Sequence, residues 1–69
     1  MNLSARNQIK GKITSIETGN VNNIVVLDVG NNVKITAMIT KDSVNNLGLK
    51  VGGTAYAVIK ASEVMIGTD

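Results

Sequence analysis

The apolar positions of this chain change period once, and that change predicts its layout. Gln8 to Glu17 alternates, with Ile9, Gly11 and Ile13 on one face and Lys10, Lys12 and Thr14 on the other, so a strand is expected. Gly11 inside that strand signals a bulge or a close backbone approach. Thr18-Gly19-Asn20 reads as a turn. Ile24 to Val29 is a second strand, apolar on both faces over most of its length, and Gly30-Asn31-Asn32 is a turn that supplies positive φ, so a hairpin follows. Val33 to Ile39 is a third strand, with Val33, Ile35, Ala37 and Ile39 on one face. There the period lengthens. Thr40 is placed to cap a helix, Asp42 falls in its first turn, Val44 and Leu47 share a face, and Gly48 stops it after about two turns. So short a helix depends on tertiary packing. Gly52-Gly53 turns the chain into a fourth strand, Thr54 to Ile59. Lys60-Ala61-Ser62 interrupts, and Val64-Met65-Ile66 reads as a short fifth strand.

The predicted order is β-β-β-α-β-β over a single domain, residues 1–69. Five short strands with a helix between the third and fourth is the layout of the OB-fold, a five-stranded Greek-key barrel. The expected class is therefore all-β with one short helix. Three asparagine pairs, Asn22-Asn23, Asn31-Asn32 and Asn45-Asn46, fall at loops or element ends, where asparagine tolerates left-handed backbone.

Composition changes this picture in two ways. A chain of 69 residues buries only about 60% of its unfolded surface, and small domains usually need disulfides, a metal or a partner. With no Cys and no His, disulfides are impossible and a structural zinc site is close to excluded, which leaves association between copies. Hydrophobic residues at 43% against 17% charged support it. The same inventory argues against catalysis. The acidic side chains of Glu17, Asp28, Asp42 and Glu63 are dispersed, and Ser4, Ser15, Ser43 and Ser62 have no histidine to activate them. Met1-Asn2-Leu3-Ser4 has neither the basic nor the apolar region of a leader, and no apolar run is long enough to cross a membrane. A soluble, cytoplasmic protein is the expectation.

Binding chemistry concentrates at two segments. Ser4-Ala5-Arg6-Asn7 opens the first strand, and Lys60-Ala61-Ser62 closes the fourth. Each combines a cation, a hydroxyl and small neighbours, the equipment for holding a compact oxyanion. Alone, Arg6 or Lys60 is an ordinary solvated surface residue, and Ser62 an ordinary cap. The tight Lys60-Ala61-Ser62 turn shifts the balance, because consecutive N–H groups there can point to one side.

Ser4 to Lys12, Ile39 to Val44 with Leu47-Gly48-Leu49, and Ala57 to Ile66 together resemble the molbindins, the Mop-type molybdate-binding proteins of the TOBE/Mop domain family. The resemblance covers essentially the whole chain. It implies an OB-like barrel, no enzymatic activity, no organic cofactor, and cytoplasmic storage of molybdate or tungstate. It also implies a homo-hexamer, a trimer of dimers, with oxyanion sites between subunits. One site type would use Ser4, Ala5 and Arg6 of one chain with Lys60, Ala61 and Ser62 of another. A second, near threefold contacts, would use the loop at Asn20, Val21 and Asn22. Molybdate is a tetrahedral dianion, and burying it demands cations and hydrogen-bond donors.

Two other classes fit the predicted fold. A nucleic-acid-binding OB module stacks bases on aromatic side chains, and this chain has one Tyr, no Phe and no Trp, so no nucleic-acid partner is expected. A structural or regulatory interaction module would use the same anion only to join subunits.

Overall fold

A computed structural model describes residues 4–69. Met1, Asn2 and Leu3, on which the reading of no leader largely rests, lie outside the described residues. The elements are β1 (Asn7–Thr18), β2 (Asn22–Gly30), β3 (Val33–Thr40), α1 (Lys41–Leu47), β4 (Thr54–Ile59) and a 3₁₀ turn at Ala61–Glu63. The strands form one curled antiparallel sheet in the order β3-β2-β1-β4. β1, β2 and β3 follow one another as hairpins, and β4 returns to lie beside β1.

Local chemistry accounts for each junction. Asn31 and Asn32 adopt φ of 54° and 61°, the paired left-handed residues that let a two-residue loop match the twist of β2 and β3. The Thr40 side chain accepts from the Ser43 N–H at 3.1 Å, capping α1. Gly48 takes φ of 65°, and the N–H groups of Gly48 and Leu49 return to the carbonyls of Asn45 and Val44 to close the helix.

Gly11 lies where β1 crosses β2 closely. A Cβ there would sit 2.9 Å from the Asp28 carbonyl oxygen and 3.0 Å from Val29 Cγ1. The bulge in β1 falls three residues later, at Thr14, between the rungs Ile13↔Leu27 and Ser15↔Val26. That extra residue shifts the alternation. Ile13 and Ile16, three apart, can therefore both pack on the core. Because backbone cannot retreat as a flexible side chain does, Gly11→Ala is expected to destabilise the fold by about 1–3 kcal/mol, the range for overpacking. Thermal unfolding checks this, and an unchanged midpoint would mean the two strands separate freely.

The core is small. Ile13, Val25, Leu27, Val44 and Ala57 are buried, with Ile16, Val29, Ile35, Ile39, Leu49 and Ala55 half-buried around them. Leu47, predicted to share the buried helix face with Val44, stays 69% exposed. It borders an apolar groove of about 590 Å³ on the concave side of the sheet, also lined by Ile35, Ala37, Leu49, Ala55 and Ile59.

The expected fifth strand is absent: among the described residues there are four strands. Val64, Met65 and Ile66 follow the 3₁₀ turn with no ladder beside them. Met65 is 92% exposed and Ile66 88%. Their apolar content predicts a strand, but a strand also needs a hydrogen-bonding neighbour, and no ladder forms at the tail.

Candidate oxyanion site

The first and last described parts of the sheet meet at one corner. Asn7↔Ile59 is the terminal rung of the β1–β4 ladder. Arg6 immediately precedes one partner and Lys60 immediately follows the other, so the two cations leave the ladder side by side. Ser4, Ala5, Arg6, Lys60, Ala61 and Ser62 line a single cavity of about 220 Å³. These are the six residues the sequence reading selects. The resemblance divides them between two chains, whereas here both segments come from one.

The turn after β4 shapes one wall. The Glu63 N–H donates to the Lys60 carbonyl at 2.9 Å, and the Val64 N–H to the Ala61 carbonyl at 3.3 Å. Lys60, not Ser62, caps this turn, and it makes no side-chain cap hydrogen bond. Glu63, the neighbouring carboxylate, does not line the cavity. The other wall is tied by two amides. Asn7 Nδ2 donates to the Ile59 carbonyl at 3.2 Å, and Gln8 Nε2 to the Ala5 carbonyl at 3.0 Å. The carbonyls of Ala5, Ile59, Lys60 and Ala61 thus each accept a bond from within the chain. The side chains of the lining residues include a guanidinium, an ammonium and two hydroxyls, a set rich in donors and suited to an anion.

Asn20, Val21 and Asn22 are not brought to this cavity, nor do they line the apolar groove. Their loop is held by its own bonds. The Gly19 N–H donates to the Asn23 side-chain oxygen at 3.2 Å, and the Val21 carbonyl accepts from the Lys41 N–H at 2.8 Å. Asn23 is buried, so its loop-tying role needs the folded chain to be seen. The roles of Asn7 and Gln8 are likewise missing from the sequence reading. Their only signal there is that two amides directly follow Arg6.

A small curled sheet carrying a donor-lined cavity at the junction of its first and fourth strands has the build of an anion-binding module. The pattern of the TOBE domain matches residues 3–66. The chain is 48% identical over 69 residues to the probable molybdenum-pterin-binding protein of Haemophilus influenzae, covering all of both chains. MopII from Clostridium pasteurianum, a solved structure, superposes with a TM-score of 0.91 at 45% identity, covering 97% of this chain and all of that one. The cytoplasmic molybdate-binding protein ModG, solved with molybdate bound, superposes with a TM-score of 0.94 at 49% identity, covering all of this chain and 49% of that one. The chain belongs to the TOBE domain family and is a Mop-type molbindin. Among the described residues no helix is long and apolar enough to cross a membrane.

Proposed function

We propose that this protein binds molybdate, or the closely similar tungstate, at the cavity formed by Ser4, Ala5, Arg6, Lys60, Ala61 and Ser62. The observation that carries the reading is the convergence of both cation–hydroxyl segments on one cavity. Relatives named for binding molybdenum-pterin and molybdate point the same way. The role is storage or buffering in the cytoplasm, without catalysis, organic cofactor or nucleic-acid partner.

The working form is a homo-hexamer arranged as a trimer of dimers. The open groove and the exposed Val64-Met65-Ile66 tail support association, because both leave apolar surface in water. The curled sheet closes toward the Greek-key barrel only in that assembly. Each chain supplies both cation segments of one cavity, and a second copy shields its mouth. The loop at Asn20, Val21 and Asn22 forms a second oxyanion site where three copies meet.

Calorimetric titration with molybdate, tungstate, sulfate and phosphate tests this. Molybdate and tungstate are expected to bind far more tightly than sulfate, and phosphate to bind most weakly. Equal affinity for all four would reduce the site to a general cationic patch.

A further inference from the structure

The apolar groove follows a seam in the sheet. β3 and β4 are its outer strands, so each has one edge without a hydrogen-bonded neighbour. The groove touches Ile35, Thr36 and Ala37 of β3 and every residue of β4 from Thr54 to Ile59. Consecutive strand residues point to opposite faces, so a groove that meets them all runs along both free edges. Such edges present unpaired N–H and C=O groups, and natural proteins usually blunt them with charge, proline or a cover. β4 has no charged residue and no proline, and no charged residue lines the groove.

The tail has matching chemistry. Val64-Met65-Ile66-Gly67-Thr68 carries no charge. Val64 is already extended, with φ of -89° and ψ of 126°, and at strand period it shares a face with Ile66. Yet no tail residue lines the groove of its own chain. The turn at Ala61–Glu63 ends with the Val64 N–H bonded to the Ala61 carbonyl. It holds none of the positive-φ residues with which the β2–β3 hairpin doubles back.

We propose that the seam between β3 and β4 is a strand-docking site, filled by Val64-Met65-Ile66 of a second copy of this chain. The inference rests on the association proposed above and names the contact that makes it. The incoming segment hydrogen-bonds to both free edges. Its Val64 and Ile66 turn into the apolar groove, and Met65 points away. The fifth strand that the apolar pattern predicts is thus supplied from another chain.

Proline at position 65 separates backbone pairing from side-chain burial. A strand between two others uses its N–H groups in ladders, and proline removes one. In the single chain the change does little harm. Met65 is 92% exposed, and the extended backbone of Val64 is what a residue before proline prefers. Native mass spectrometry compares the wild type, Met65→Ala and Met65→Pro, and hydrogen exchange follows the tail amides of the assembled wild type. Met65→Ala is expected to assemble as the wild type does. Met65→Pro is expected to dissociate at concentrations about ten- to a hundredfold higher, the worth of one buried backbone group left unpaired. The Met65 and Ile66 amides are expected to exchange slowly in the assembly. Met65→Pro assembling as well as the wild type overturns the docking and leaves association standing. So do freely exchanging tail amides, or a loss in Met65→Ala as large as in Met65→Pro. A monomeric wild type overturns the association itself, and this inference with it.

Discussion

Replacing Arg6 or Lys60 by alanine is expected to weaken molybdate binding by about 2–3 kcal/mol each, roughly 30- to 150-fold. Truncating one member of a buried charge pair can cost more. The lower part of the range applies because both side chains are exposed in the single chain, where solvent screens them. Ser62→Ala removes a neutral donor and is expected to cost about 1 kcal/mol. Arg6→Lys is expected to fall between, since a point charge cannot reproduce the planar fork. The geometry adds a sharper expectation. Both cations line one cavity of one chain. Hexamers re-associated from Arg6→Ala and Lys60→Ala protein should therefore contain no site with both cations. Calorimetry on the mixture should show only weak sites. A fraction of near-native sites would show instead that Arg6 of one copy serves Lys60 of another.

Light scattering or native mass spectrometry at micromolar concentration is expected to give six subunits, and Leu47→Asp or Ile66→Asp to give smaller species. Leu47 borders the concave groove and Ile66 lies on the tail, and both are exposed in the single chain. A carboxylate at either position therefore harms one chain little. In an assembly that covers these surfaces it would be desolvated without a partner, at a cost of several kcal/mol. A stable wild-type monomer would remove the basis for the hexamer. A hexamer that tolerates both substitutions would place the contacts elsewhere.

Local patterns determine much of this protein. Apolar pattern and turn residues located β1 to β4 to within a residue or two, with period-two alternation in β1 and β3 and a continuous apolar run in β2. Asn31-Asn32, Thr40 and Gly48 specified a turn, a cap and a stop through their own backbone preferences. The two cation–hydroxyl segments were legible because charge, hydroxyl and small neighbours recur together at the ends of the first and fourth strands. Position is a different matter. The sequence signalled a bulge or a close approach at Gly11; the close approach to β2 is there, but the bulge falls at Thr14, because a bulge is a property of two paired strands. It promised a strand at Val64-Met65-Ile66, where the tail finds no partner within one chain. Only the folded chain brought Arg6 and Lys60, 54 positions apart in sequence, to one cavity. Only there did Asn7 and Gln8 acquire carbonyls to engage, since a hydrogen bond such as that from Asn7 to Ile59 exists once antiparallel pairing has set their separation.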